Sequence, residues 1–117
     1  MNCCNEKSVI ELVSGDRLCK NHFTEYRIEF LIRTPKSLKA NIYLDKNIFI
    51  SLRYNARNER IDFALIKDNQ RIFGYDNLKE WHYHPYERPL NHIQCNKPSI
   101  DKIFSDIKRA YENAFHG

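Results

Sequence analysis

The chain has 117 residues, a length at which a single domain buries roughly two thirds of the surface that its unfolded form exposes. Hydrophobic residues make up 42% of the sequence and charged residues 29%, a composition that excludes a disordered chain. The formal net charge of +4 favours anionic partners. We expect residues 1–117 to form one domain, with residues 1–7 frayed.

The N-terminal sequence MNCCNEKSV lacks the apolar core of a signal peptide. The chain also contains no run near the roughly 18 apolar residues that a membrane span requires. We therefore expect a cytoplasmic protein with no membrane partner. Cys3 and Cys4 are adjacent, and Cys19 and Cys95 stand alone without CxxC spacing, so we interpret all four cysteines as free thiols.

Strand patterns dominate residues 8–76. In Tyr26–Arg33, every second residue is apolar (Tyr26, Ile28, Phe30 and Ile32), the period expected of a strand that buries these residues on one face. The same pattern recurs in Ile48–Tyr54, where Ile48, Ile50, Leu52 and Tyr54 share a face. Ala40–Leu44 is a further candidate strand, and Val9–Val13 is either a strand or a short helix.

The turns join these segments into a meander. Residues Asn55–Glu59 are polar and separate two strands, and Asp68–Asn69 forms a two-residue link because both residue types tolerate positive φ. After Pro98, apolar residues recur at helical spacing, Ser99 is suited to cap the helix, and Asp101 suits its first turn. These patterns predict an α+β fold: an antiparallel meander of about four to six strands covered by a C-terminal helix.

Basic residues are concentrated between Arg33 and Arg60, a stretch with seven basic residues and two acidic ones. One interpretation is an exposed sheet face whose charges discourage edge pairing. The other is a phosphate-binding surface, to which Arg53 and Arg57 would contribute. Exposed strand edges would also permit a homodimer.

The segment Tyr75–His92, YDNLKEWHYHPYERPLNH, contains three of the five histidines. A connection of this length without clear periodicity is typically functional or disordered, and its aromatic residues favour an ordered flap. In an extended HxH pair, His82 and His84 project to one side, while Trp81 and Tyr83 project to the other. Two imidazoles at one site suit general acid–base catalysis.

RNA carries its own nucleophile, the 2′-OH, so its cleavage requires only a base, an acid and a cation near the phosphate. We predict His82 and His84 as acid and base and Asp76 as the group that orients an imidazole, although Asp76–Asn77 also suits an Asx turn. Arg88 or Lys79 would contact the phosphate, and Trp81 or Tyr83 would stack on a base. No cofactor is required by this chemistry.

A divalent metal is the competing interpretation. His82, His84 and His92, with Asp76 or Glu87 nearby, offer three or four ligands, although no diagnostic motif accompanies them. For His92 alone we favour a surface or hydrogen-bonding role.

The stretch IDFALIKDNQRIFGYDNLKEWHYHPYE and the later SIDKIFSDIKRAY together resemble the TumE-type family of small toxins from type II toxin–antitoxin pairs. Gly74–Asn77 match a GYDN-like motif, and His82 and His84 match a His-x-His motif. The resemblance covers about the C-terminal half and implies a small antiparallel sheet protein that acts on RNA and has a cognate antitoxin. Here LKEW replaces the Gly-rich stretch that often separates the two motifs.

Three functions therefore remain open from the sequence. The first is a metal-independent endoribonuclease toxin. The second is a non-catalytic module that binds nucleic acid or a protein partner through its basic strands. The third is a metal-dependent phosphoesterase.

Overall fold

The structure is a computed structural model that describes Phe23 and residues 25–116. Seven strands and one helix follow in chain order: β1 (Arg27–Thr34), β2 (Ser37–Asp45), β3 (Ile48–Asn55), β4 (Arg60–Lys67), β5 (Gln70–Asp76), β6 (His82–His84), β7 (Ile93–Gln94) and α1 (Ile100–His116). The strands form one sheet in sequential order, and every neighbouring pair is antiparallel. The predicted α+β meander with a C-terminal helix is confirmed.

The core lies between one face of this sheet and α1. The helix is amphipathic, and it buries Ile100, Ile103, Phe104, Ile107, Ala110 and Ala114. Phe104 meets Phe63 of β4 edge to face, with ring centroids 5.7 Å apart. The helix begins as the sequence predicts, since the Ser99 hydroxyl oxygen accepts a hydrogen bond from the Lys102 N–H at 3.1 Å. We call the opposite side of the sheet the distal face.

A hydrogen bond fixes α1 against β5. The hydroxyl group of Tyr75 donates to the Asp106 carboxylate at 2.6 Å, and Lys102 contacts the same carboxylate at 3.0 Å. Burial and the hydrogen bond to Asp106 raise the pKa of the Tyr75 hydroxyl. The phenol therefore stays protonated and donates to the helix at neutral pH.

The hairpin between β4 and β5 turns at Asp68 and Asn69, whose φ values of 52° and 65° are those of a type I′ turn. From this turn, Lys67 pairs with Gln70 and Ile66 with Arg71. The register then shifts by one residue at Ile72, so Leu65 pairs with Phe73. Without this shift, Phe73 and Tyr75 would project away from the core that Phe63 and Leu65 occupy.

One sequence prediction needs correction. Ile32 was expected to share a buried face with Ile28 and Phe30, but it is 44% exposed, because the register shifts at Leu31 and Ile32 pairs with Lys39 on the distal face. The connection between β5 and α1, which has no clear periodicity in the sequence, also contributes strands. Residues in the segment before α1 form β6 and β7, which extend the sheet beyond β5.

Several predictions concern residues outside the described part of the chain. These are the fraying of residues 1–7, the element at Val9–Val13, and the thiols of Cys3, Cys4 and Cys19. Cys95 is described and is a free thiol. Within the described residues, no helix has the length and apolar character needed to cross a membrane.

We expect Phe104→Ala to lower the free energy of unfolding by about 3–5 kcal/mol, since the substitution leaves a cavity against Phe63. Phe104→Leu retains most of the volume and should cost less than about 1.5 kcal/mol. Urea denaturation followed by circular dichroism measures both changes. Equal losses in the two variants would contradict the packing of α1 on β4.

Candidate functional site

Asp76, His82 and His84 come together because of strand register. Asp76 ends β5 and pairs directly with His82 of β6, while His84 pairs with Gly74. Directly paired residues project to the same side of an antiparallel sheet. All three polar side chains therefore stand on the distal face, at the β5–β6 junction.

The Asp76 carboxylate joins the two imidazoles. Its Oδ1 atom lies 3.1 Å from His82 Nε2, and its Oδ2 atom lies 3.1 Å from His84 Nε2. Oδ1 also accepts a hydrogen bond from the Leu78 N–H at 3.0 Å, which is an Asx turn. Asp76 is 5% exposed and His84 1%, so most of this network is withdrawn from water. Asp76 thus makes both the turn and the contact with an imidazole that the sequence suggested.

The other nitrogen of each ring faces a backbone carbonyl oxygen. His82 Nδ1 lies 3.0 Å from the Glu80 oxygen, and His84 Nδ1 lies 3.0 Å from the Pro89 oxygen. All four ring nitrogens of the pair therefore face oxygen acceptors. A neutral imidazole has only one N–H, so two neutral rings can donate to only two of these four oxygen atoms, and a metal cation or added protons would satisfy the other two contacts.

His92 completes the cluster from the end of the loop that precedes β7. Its ring stacks on His82 with centroids 4.9 Å apart, and its centroid lies 4.4 Å from that of His84. The ring is exposed, and no hydrogen bond of its nitrogens is found among the described residues. Loss of solvation lowers the pKa of His92, and the nearby His84 and His82 rings lower it further. Its ring therefore favours the neutral form, which has a lone pair available.

The three histidines line an open cleft of about 690 Å³, and Arg60, Arg71 and Lys79 line it as well. We call it the histidine cleft. Gly74 gives Arg71 room to lie there. A Cβ atom at Gly74 would stand 3.4 Å from Arg71 Cδ and only 2.7 Å from the Phe63 carbonyl oxygen. Any side chain at this position would therefore displace the β4–β5 pairing beneath the site.

Asp62 borders the same cleft and pairs with Asp76 across the β4–β5 ladder. Burial raises the pKa of the Asp62 carboxyl, and the neighbouring Asp76 charge raises it further. Three guanidinium groups, those of Arg71, Arg60 and Arg53, oppose this shift. Asp62 is thus a partly buried carboxyl group surrounded by cations.

The structure separates some of the predicted residues from the histidines. Tyr83 lies on the core face against Tyr75, with ring centroids 5.7 Å apart, and does not line the histidine cleft. Arg88 is exposed in the loop of residues 85–92 and does not line this cleft either. The predicted contacts of these two residues with a substrate held beside the histidines are therefore corrected.

Other residues that the sequence singled out line clefts. Trp81 and Lys79 line the histidine cleft. Lys79 has a φ of 66°, a conformation that glycine adopts most easily. Arg53 lines an adjacent cleft, and Arg57 lines a third one with Lys36.

The sequence did not identify Arg60, Asp62 and Arg71 as members of the site, and it favoured a surface or hydrogen-bonding role for His92. The signal for the first three was the pairing of β4 with β5, which becomes readable only when the one-residue shift at Ile72 is known. For His92, the signal was a third histidine beyond a loop rich in turn residues, a spacing that allows the chain to fold back on HxH.

The cluster also has features of a metal site. One potential ligand atom from each of His82, His84 and His92 lies within 4.8 Å of the others. The Nδ1–carbonyl contacts of His82 and His84 are the kind that direct Nε2 toward a metal. These three histidines therefore fit a transition metal with imidazole ligands.

Comparison of the chain with protein families, with curated proteins and with solved structures finds no match. Its function must therefore be inferred from the site itself.

We expect Asp62→Asn to change the pH dependence of stability. The folded chain holds the Asp62 proton more tightly than the unfolded chain, so the carboxyl destabilises the fold as the pH rises from 3.8 through the raised pKa. The Asn variant lacks this effect. Its free energy of unfolding relative to the parent should rise across that interval and then level off.

Urea denaturation at a series of pH values measures this difference. The attraction of the three arginines to the ionised carboxylate is already included in the Asp62 pKa, so only the exchange of an oxygen for an amide group adds an offset that does not change with pH. A difference between variant and parent that is constant across the whole series would contradict the raised pKa.

Proposed function

We propose that the protein is an endoribonuclease that cleaves RNA at the histidine cleft by acid–base chemistry. The observation that carries this proposal is a cluster of three imidazoles, two of which contact one buried carboxylate, beside two guanidinium groups in an open cleft. Imidazoles supply a base and an acid near neutral pH, and guanidinium groups bind phosphate.

His92 is suited to be the base. It is the exposed member of the cluster, and its neutral ring offers a lone pair to the cleft. In the proposed reaction it removes the proton from a ribose 2′-OH. The 2′-oxygen then attacks the adjacent phosphorus atom, forming the P–O2′ bond while the P–O5′ bond breaks.

His82 is suited to be the acid. Its side chain is 12% exposed and lies directly beneath His92. Its Nδ1 atom lies 3.0 Å from the exposed Glu80 carbonyl oxygen, and in the proposed reaction an Nδ1–H donates to a substrate oxygen that replaces this carbonyl. The proton then passes to the departing 5′-oxygen, and the products are a 2′,3′-cyclic phosphate and a 5′-hydroxyl.

In this scheme His84 and Asp76 position the two catalytic histidines. His84 is buried, and both of its nitrogens are engaged, so it positions Asp76 and the loop rather than touching RNA. This differs from the role that the sequence suggested for His84. Arg71 and Arg60 hold the scissile phosphate, whose negative charge the guanidinium groups neutralise.

The TumE-type resemblance supports the same proposal, because Asp76, His82 and His84 of its motifs meet at this cleft. A toxin of this kind would be paired with an antitoxin, and we include such a partner in the proposal. The homodimer stays a prediction.

Wild-type protein is expected to cleave a single-stranded RNA oligonucleotide in the presence of EDTA. His92→Ala and His82→Ala should each reduce the rate by about 10²- to 10⁴-fold, as loss of a general acid or base does. An oligonucleotide with one 2′-deoxyribose at the cleaved position should resist cleavage there. Unchanged cleavage in both folded histidine variants would refute the mechanism.

Arg71→Ala and Arg88→Ala distinguish the structural assignment from the sequence prediction. Arg71 lines the cleft, so its loss should reduce kcat/KM by about tenfold to 100-fold, whereas Arg88 lies outside the cleft and its loss should leave the rate within about twofold. Steady-state kinetics on the same oligonucleotide measure both. A larger loss with Arg88→Ala would reverse the assignment.

The convergence of the three ring nitrogens favours a second candidate, a metal-dependent phosphoesterase. In that case the histidines and Asp76 would hold a metal that polarises the phosphate and activates water. EDTA would abolish cleavage, the 2′-deoxy substrate would still be cut, and purified protein would contain a stoichiometric metal. Binding of RNA without any cleavage would instead identify a binding module.

A further inference from the structure

We infer that the substrate is single-stranded RNA that crosses the distal face of the sheet, from the histidine cleft to a second, cationic cleft at Lys39, Arg53 and Arg60. This inference names the substrate class and a binding subsite, and it rests on the proposed function.

The second cleft has a volume of about 360 Å³ and is open to the surface. Arg60 and Asp62 line it and also line the histidine cleft, so the two clefts are contiguous. A ligand that fills both clefts therefore passes directly over the β4 strand.

Strand register places a row of side chains along this path. Lys39 pairs with Arg53, Arg53 with Asp62, Asp62 with Asp76, and Asp76 with His82. These residues project to the same face and span four inter-strand spacings, roughly 19 Å at about 4.8 Å each. That length accommodates about four to six nucleotides of one strand.

The charge along the path suits a polyanion. Asp62 lines both clefts, and the charges of Arg71, Arg60 and Arg53 lie near enough to lower the pKa of its carboxyl. Three guanidinium groups therefore surround one carboxyl group here, which leaves cationic charge available to phosphates. Lys39 adds a further cation at the far end.

The neighbouring row of residues on the distal face has short side chains. In this row Ser51 pairs with Ala64 and Ala64 pairs with Gly74, and Arg71 packs over Gly74. Beyond this row, Tyr43 and Phe49 lie with ring centroids 5.4 Å apart. Aromatic rings on the same face as a basic edge suit unpaired bases, which stack on aromatic side chains while phosphates follow the cations.

The test measures binding by fluorescence anisotropy, separately from cleavage. The probes are fluorescein-labelled, 2′-O-methylated RNAs that cannot be cleaved through the 2′-oxygen: a dinucleotide, and a single strand of about eight nucleotides. Arg53→Ala and Lys39→Ala should each weaken binding of the longer probe about threefold to tenfold, and Arg53→Glu should weaken it further. Binding of the dinucleotide should change less than about twofold in these variants.

Two controls separate a specific path from bulk charge. Arg53→Lys retains the cation and should bind within about threefold of wild type. Arg109→Ala removes an equal charge from the exposed surface of α1 and should leave binding unchanged. Equal weakening by Arg109→Ala and Arg53→Ala, or tighter binding of a duplex of the same length, would overturn the path.

Cleavage assays on the same variants distinguish the two proposals. If wild type binds the longer probe but cleaves no RNA, and Arg53→Glu abolishes binding, the path is correct and the endoribonuclease assignment is wrong. If wild type cleaves a long RNA and Arg53→Glu cleaves and binds it equally well, the path is wrong and the assignment stands.

Discussion

The site depends on one extra residue in β5. The two-residue turn at Asp68 and Asn69 sets a register in which Asp76 would stand opposite Ile61, on the core face of the sheet. The shift at Ile72 moves Asp76 opposite Asp62, on the distal face. The shift also returns Phe73 and Tyr75 to the core, so the burial of two aromatic rings maintains the register that exposes the carboxylate to the cleft.

The helix reinforces this register. Tyr75 precedes Asp76, and its hydrogen bond to Asp106 fixes the end of β5 from the core side. Asn77 fixes the same point from the side of β4, because its side-chain amide donates to the Glu59 carbonyl and its oxygen accepts from the Ile61 N–H. Asp76 is therefore held between two anchored neighbours, which allows a short carboxylate to meet two imidazoles at once.

The network of Asp76, His82 and His84 has an excess of hydrogen-bond acceptors. Four ring nitrogens and one carboxylate pack with two backbone carbonyls, and this set of atoms has more acceptors than neutral imidazoles can satisfy. Additional protons or a metal cation relieve the deficit. Both solutions would place positive charge beside Arg60 and Arg71, which supports the proposal that the cleft binds an anionic phosphate.

The sequence by itself determined the meander, the turn at Asp68–Asn69 and the apolar face of α1, because these follow from local periodicity and backbone preference. It also indicated Asp76, His82 and His84 as candidate site residues. Only the tertiary structure decided that His92 joins them, that Arg60 and Arg71 rather than Arg88 share their cleft, and that Tyr83 faces the core. These outcomes depend on strand register and on how a loop folds back, and register is set by the competition of whole hydrophobic faces for one core.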